Sequence, residues 1–340
     1  MKRPQRPKSE NLEMPTRGHE LENKSALKFR DLKKSDLDEL LALLPKCFAA
    51  EFEVSGFDPE HMKDMFGRFF GVMGRTLFGL ARLSGNEQAK FFVAEADGRI
   101  VGTTFVSVSG KICYIGAVMV HPDYRKRGIA TALVRNAIDY SRKRKMHRAI
   151  LDVVSTNDAA KSVYTKLGFE EFERTTHLIG DTQSISIEGD AAVETRRLMN
   201  QDVDDAFALF QSSDEPNHLR IYETSKSQLK DPFWVSLFHI ATQKRIVAVS
   251  GGKVVGYVSA TYTTPKEAGN IGFIRVKSNE KPGSVEMALV KAAVSEIMKG
   301  GVGRIRLVVP ENRQEFIDAA RRVGFKDALT LIGMHRENLS

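Results

Sequence analysis

The sequence predicts an α/β chain made of two tandem copies of one mixed α+β sheet, each copy covered by helices. Three observations lead there. The length, 340 residues, exceeds one ordinary core and suits two domains of about 150 residues each. The chain also matches itself at domain-length offsets. Finally, each copy orders its elements alike: a strand and a helix, then a hairpin and a buried strand, then strand–helix units.

The self-match is specific. Leu32, Asp36, Asp38, Ala42 and Leu43 line up with Leu198, Asp202, Asp204, Ala208 and Leu209. Val93, Gly98, Val101 and Gly102 line up with Val247, Gly252, Val255 and Gly256. From Ile115 with Ile271 to Gly168-Phe169 with Gly324-Phe325, one register runs without a gap. Chance would not hold it across a strand, a helix and a second strand–helix unit. The expected division is a polar tail over 1–25, a first domain over 26–182, a linker over 183–193 and a second domain over 194–340.

In the first copy, a strand over Leu27–Asp31 leads into a helix that begins near Ser35 and Asp36, good capping residues. A second helical region is expected from Asp58-Pro59-Glu60 to about Leu83. Its Phe and Met residues read as core or a lid, with an apolar acceptor pocket as the alternative. Phe92–Glu95 and Ile100–Ser107 form a hairpin around Asp97-Gly98. Tyr114–Val120 is an apolar strand, and a helix follows from about Gly128 to Arg144. Ala149–Val154 is a buried strand, followed by a helix over Asp158–Leu167 that ends at Gly168.

Bulk properties narrow the class. Apolar residues are 42% and charged residues 28%, a globular composition. No apolar run approaches the roughly 20 residues of a membrane span, and Met1–Ser25 has no apolar signal core. The two cysteines, Cys47 and Cys113, lack metal-like spacing, and the eight histidines form no metal constellation. This fits a reducing cytoplasm and no metal. The net charge of +8 favours anionic partners without choosing among them. The basic run from Arg142 to Arg148 closes a predicted helix, where cations offset the negative helix end. No aromatics interleave with it, which argues against nucleic acid.

The chemistry concentrates in Val118-Met119-Val120-His121-Pro122-Asp123-Tyr124-Arg125-Lys126-Arg127-Gly128-Ile129-Ala130. An apolar strand ends, a basic glycine-containing loop follows, and a helix starts at once. A helix N-terminus offers free N–H groups and the positive dipole end, and so receives phosphate. Small residues at Gly128 and Ala130 let the backbone close on an anion. One strand and one turn downstream come Asn157, Ala160, Tyr164, Lys166, Gly168 and Phe169.

Together these segments resemble the GNAT superfamily of acyl-CoA N-acyltransferases. Its Arg/Gln-x-x-Gly-x-Gly/Ala loop is matched by Arg125-Lys126-Arg127-Gly128-Ile129-Ala130, and its Asn…Ala…Tyr-x-x-x-Gly-Phe segment by Asn157, Ala160, Tyr164, Gly168 and Phe169. The resemblance covers about Ala26 to Gly180. It implies acetyl-CoA as acyl donor, transfer to a primary amine, and no metal. It also implies that the Arg125, Lys126, Arg127, Gly128, Ile129 and Ala130 loop binds the pyrophosphate. Val118, Met119 and Val120 would line the pantetheine arm, one of their N–H groups polarising the thioester carbonyl. Asn157 would bond the arm, and Tyr164 would protonate the leaving thiolate. From the residues alone, Asn157 also reads as a helix cap and Tyr164 as packing. The acceptor, whether a protein N-terminus, a lysine or a small-molecule amine, is left open, as is a homodimer. A CoA-binding sensor or scaffold without catalysis is the alternative.

One departure stands out. Many relatives carry a Glu two residues after the position of Tyr114, and this chain has Gly116 there. Glu51, Glu53 and His121 could act through water, yet each reads as an ordinary surface residue, so the base stays unassigned. In the second copy, Gly128, Ala130, Asn157 and Tyr164 align with Ser284, Glu286, Arg313 and Ala320, and Arg125-Lys126 with Lys281-Pro282. The packing positions persist while the chemical ones are lost, which predicts a single CoA site, in the first copy.

Overall fold

The computed structural model describes residues 27–55, 89–186, 193–212, 221–222, 226–229, 241–263, 268–277 and 283–337. The expected helical region 58–83, the tail 1–25, residues 187–192 of the linker, the aligned pair Lys281-Pro282 and the side chains of Glu51 and Glu53 lie outside them. In the first copy the elements are β1 (Lys28–Asp31), α1 (Leu37–Ser55), β2 (Ala89–Ala96), β3 (Arg99–Ser109), β4 (Ile112–Val120), α2 (Ile129–Lys143), β5 (Arg148–Val154), α3 (Asp158–Lys166) and β6 (Glu170–Asp181). The second gives β7 (Glu194–Arg197), α4 (Val203–Gln211), β8 (Ala241–Ser250), β9 (Lys253–Thr263), β10 (Ala268–Val276), α5 (Ser284–Lys299), β11 (Arg304–Pro310), α6 (Gln314–Arg322) and β12 (Lys326–Arg336).

The elements fall where local chemistry puts them. Asp97 (φ 51°) and Gly98 (φ 75°) supply the two left-handed residues that the β2–β3 hairpin turn needs. Gly168 (φ 79°) closes α3. The duplication reaches individual bonds. Arg30 grips Asp36 with Nη1–Oδ2 at 2.6 Å and Nη2–Oδ1 at 3.0 Å, while Lys33 N donates to the same carboxylate at 2.6 Å. Arg196 grips Asp202 at 2.5 and 2.9 Å, and Met199 N donates at 2.8 Å.

The described strands join one 12-stranded mixed sheet in the order β1-β2-β3-β4-β5-β12-β6-β11-β10-β9-β8-β7. The last strand of each copy closes the sheet of the other. β12 pairs antiparallel with β5, Leu331 facing Val154 and Arg336 facing Ala149. β6 pairs antiparallel with β11, Thr175 facing Pro310 and Asp181 facing Arg304. β6 and β12 pair with each other at the centre. The expected boundary at 183–193 therefore divides the chain but not the sheet.

On one face, α2 packs a core that includes Val134, Ala137, Leu151, Val153, Tyr164 and Phe169, and this core takes Ile332 and Met334 from β12. The matching core under α5 includes Leu289, Val290, Ala293 and Leu307 and takes Leu178 from β6. On the other face, α1 covers Val93, Ile100 and Met119, and α4 covers Val247, Val254 and Tyr257. The basic run is not one solvated patch. Arg142 pairs with Asp139 at 2.9 Å, as expected at a helix end, but Arg148 is the first residue of β5. Arg148 is largely buried, pairs with Glu337 at 2.8 Å and donates to Ile221 O at 2.8 Å. It thus ties the first copy to two segments of the second. Among the described residues, no helix is long and apolar enough to cross a membrane, and no His/Cys/Asp/Glu group is placed to hold a metal.

Candidate active site

The site begins with a defect in β4. Its ladder with β3 shifts register between the Thr103–Met119 and Phe105–Gly116 pairs, and Ala117 takes φ 47°. Such a bulge bends a strand and leaves backbone groups unpaired. On the other side, β4 pairs with β5 only from Ile112–Arg148 to Tyr114–Ile150, so the two parallel strands part beyond Tyr114. His121 N donates to Val101 O at 2.8 Å. N–H groups alternate sides along a ladder, so Met119 turns its N–H to β3 and Val120 turns its own towards the gap. The Val120 carbonyl accepts from Arg125 Nε at 3.2 Å and from Cys47 Sγ at 3.4 Å.

The basic loop closes the end of this gap. Lys126 (φ 61°) and Gly128 (φ 79°) are both left-handed, and Gly128 is the N-cap of α2 with no side-chain cap. The first N–H groups of the helix, at Ile129 and Ala130, therefore face outward without an internal acceptor from a cap. Arg125, Lys126, Arg127 and Gly128 are exposed, and Arg127 stacks 5.0 Å from the Tyr124 ring. Ile129 and Met119 bury their side chains in the core, so only their backbone is offered. Val118 and Val120 are half-buried beside the gap.

Asn157 is the N-cap of α3, and its Oδ1 accepts from Ala160 N at 3.1 Å. That oxygen serves the helix, and only the side-chain NH2 remains for another partner. Tyr164 is 6% exposed and packs edge-on to Phe169, the ring centroids 6.2 Å apart. Its hydroxyl has no hydrogen-bond partner among the described residues, and burial pushes it up to about 12, so it stays protonated at neutral pH. His121 is spent on a turn: Nδ1 accepts from Asp123 N at 3.3 Å, and Nε2 lies 3.3 Å from Lys46 Nζ.

The structure adds a pair that the sequence reading missed. Tyr114 Oη donates to Asp152 Oδ2 at 3.2 Å, across the mouth where β4 and β5 part. Gly116 makes room for it, since a Cβ there would sit 2.9 Å from Tyr114 Cε1. The glycine that stands where many relatives have Glu is thus the seat of the Tyr114 ring. Asp152 keeps accessible area because it faces a cavity, yet protein hems in its carboxyl. Desolvation, helped by the charge of Glu173 and opposed by the Tyr114 bond, raises it to about 6. Glu173 in turn accepts from Tyr222 Oη at 2.6 Å, a residue of the second copy. Alternation along β5 sends Leu151 and Val153 to the Tyr164 face and Asp152 to the other. One signal could have exposed Asp152: it is the only charged residue in the apolar run from Ala149 to Val154.

Comparison with known proteins assigns a family to the first copy. Residues 42–169 match the model of the Acetyltransferase (GNAT) family. A tandem GNAT protein from the clavulanic acid biosynthesis pathway superposes with a TM-score of 0.61 at 16% identity, over 92% of this chain and 98% of its own. Residues 42–169 thus form a GNAT-family domain, and the whole chain shares the fold of a tandem GNAT protein. Relatives in sequence include an uncharacterized N-acetyltransferase of Methanocaldococcus jannaschii, 33% identical over 152 residues, 42% of this chain and 61% of that protein. Another is the mycothiol acetyltransferase of Tsukamurella paurometabola, 31% identical over 143 residues, 41% of this chain and 47% of that protein. The chain thus spans about half the length of these two relatives.

The second copy keeps the backbone plan and changes its end groups. β10 pairs with β11 only from Ala268–Arg304 to Ile271–Leu307, and the β9–β10 ladder shifts between Gly272 and Arg275. The N-cap of α5 is Gly283 (φ 86°), one residue earlier than the sequence register placed it. Glu286, 4% exposed, folds back on that helix end: Oε2 accepts from Gly283 N at 3.0 Å, and Oε1 meets Arg313 Nη1 at 3.3 Å. The helix end that stands open in the first copy is closed here by an internal carboxylate.

Proposed function

We propose that the first copy transfers an acetyl group from acetyl-CoA to a primary amine, and that the second copy binds no CoA. The reading is carried by one arrangement. Tyr164 on one face and the Tyr114–Asp152 pair on the other flank the gap between β4 and β5, at the foot of the open α2 N-terminus.

Acetyl-CoA supplies an activated acyl thioester. The N–H groups of Arg127, Gly128, Ile129 and Ala130 and the charges of Arg125 and Lys126 receive its pyrophosphate. The edge of β4 over Val118, Met119 and Val120, with the Asn157 side-chain NH2, holds the arm. A gap-facing N–H such as that of Val120 stabilises the charge that builds on the carbonyl oxygen. An ammonium must lose a proton before it attacks, and a free lysine titrates near ~10.4. Asp152, ionised above about 6 and bonded to Tyr114, is the group placed to take that proton. Tyr164, held protonated by burial, returns one to the thiolate as the C–S bond breaks.

Mass spectrometry of an amine and peptide panel incubated with acetyl-CoA tests the activity. An acetylated product that forms far more slowly in Tyr164→Phe is expected, whereas CoA binding without product from any amine would leave a sensor.

Gly128→Glu tests the loop. A Cβ at Gly128 meets nothing within 4 Å, so the variant should fold, at a strain of roughly 1–2 kcal/mol for the left-handed φ. Its carboxylate would face the pyrophosphate, and like charges about 4 Å apart repel by roughly 1–4 kcal/mol near a surface. Acetyl-CoA affinity should fall about tenfold or more. Unchanged binding in calorimetry would move the site elsewhere.

The stoichiometry should be one acetyl-CoA per chain. Glu286 occupies the second helix end, and Arg313 and Ala320 stand at the aligned positions of Asn157 and Tyr164. A calorimetric value near two would refute the one-site reading.

A further inference from the structure

A cavity of about 520 Å³ lies away from the basic loop. It lies between the copies on the face opposite α2 and α5, and only Asp152 and Glu173 connect it to the first-copy site. Its volume is that of a small-molecule chamber. Among the described lining residues those two carboxylates are the only acids, and they sit at one end, on one rung and two strands apart: Asp152 and Glu173 both pair with Gly333 of β12. The other end is basic. Arg306 lies on β11 opposite Ile179, six residues along β6 from Glu173. At ~3.3 Å per residue that is roughly 20 Å of strand, before the side chains reach inward.

Arg306 is an unusual cation. Its Nε donates to Asn270 Oδ1 at 2.7 Å, and no carboxylate pairs with it among the described residues. Burial alone pulls its affinity for the proton down. Its neighbour His177 is driven to about 4 by burial and by the Arg306 charge, and so is neutral. Arg275 adds a second guanidinium to the wall, 5.4 Å from the Phe210 ring. A desolvated arginine without a counter-charge is costly unless an anion joins it, and its planar fork suits a carboxylate or a phosphate. The duplication sharpens the point. The last paired rung before the strands part is Tyr114–Ile150 in the first copy, and Asn270–Arg306 forms the corresponding rung in the second. Where the first copy presents an aromatic and an aliphatic side chain, the second presents a cation and the amide that fixes it.

We infer that the cavity is a shared acceptor chamber, and that Arg306, oriented by Asn270, holds a carboxylate or phosphate of an acceptor whose amine lies at the Asp152 end. The substrate class is then an elongated amine bearing an anion several bonds away. This rests on the reading of the first copy as the transferase site, so binding and turnover are measured separately.

The test uses the full chain and three matched probes long enough to cross the chamber: 12-aminododecanoate, 12-aminododecyl phosphate and uncharged 12-aminododecanamide. Calorimetry without acetyl-CoA should show at least one anionic probe binding roughly tenfold or more tighter than the amide, and the tighter of the two names the anion. Arg306→Gln should erase that preference while leaving amide binding as it was, a result that a merely structural role would not give. Should Arg306→Gln fail to fold, the probe comparison on the unaltered chain still decides, and Arg306→Lys should keep part of the preference. With acetyl-CoA present, the acetylation rate should follow the same order. Anion-selective binding without acetylated product would keep the chamber and sink the transferase reading. Binding or turnover with no preference for either anion, or no binding of any probe, would overturn the chamber.

Discussion

A chain ending at Phe325 is expected to lose the folded state of both copies, although it removes only β12 and the residues after it. β12 lies between β5 and β6, so its loss exposes two strand edges at the centre of the sheet. Ile332 and Met334, 2% and 5% exposed, leave the core under α2. Each buried side chain of that size contributes roughly 2 kcal/mol, and each ladder hydrogen bond about 1 kcal/mol net. β12 bonds along both edges, so the loss reaches the ~5–15 kcal/mol by which a domain is stable. The exposed edges would also invite aggregation. Acetyl-CoA binding should vanish together with the cooperative thermal transition, although Arg125–Ala130 are untouched. A chain ending at Ser186 should fare no better, since β6 would then lack both β11 and β12. A truncated first copy that melts cooperatively and binds acetyl-CoA would show the exchange to be dispensable.

Asp152→Asn should lower kcat by about 10²–10⁴-fold, the usual contribution of a general base, with acetyl-CoA affinity little changed. The pH dependence supplies the sign. Asp152 is raised to about 6, so it is protonated and inactive below that value and competent above it. In the parent, kcat should rise through pH about 6, and the variant should lose that limb. The titration is shaped by Tyr114 from β4, which favours the ionised form by donating to it, and by Glu173 from β6, which opposes it. Tyr222, bound to Glu173, completes the surroundings. Tyr164→Phe should lower kcat as well but keep the acidic limb. A full limb in Asp152→Asn would assign the base elsewhere.

Much of this protein could be read from its residues in order. The duplication, the hairpin at Asp97-Gly98, the basic loop before α2 and the α3 segment with Tyr164 are all local patterns, fixed by turn chemistry, side-chain period and short spacings. The loss of the chemical positions in the second copy was equally legible, because it needs only two aligned segments. The one-residue shift to Gly283 was not, since a glycine with φ 86° competes with alignment register for the helix start. Asn157 was legible as a helix cap, and the structure places its oxygen there.

The tertiary structure decided what local pattern does not encode. Period two along a strand says which residues share a face, but not which strand lies beside it. β6 and β12 are copies with similar patterns, so either could close either sheet, and only the assembled ladder shows each closing the other. The Tyr114–Asp152 pair depends on two strands parting after Tyr114 and on the space that Gly116 leaves, both long-range facts. Only the assembled sheet sets Arg306 at the far end of a cavity from Asp152. The sequence by itself determined the elements and the basic loop before α2; packing between the copies decided which residues line the cavity, because that surface exists only where strands of the two copies meet.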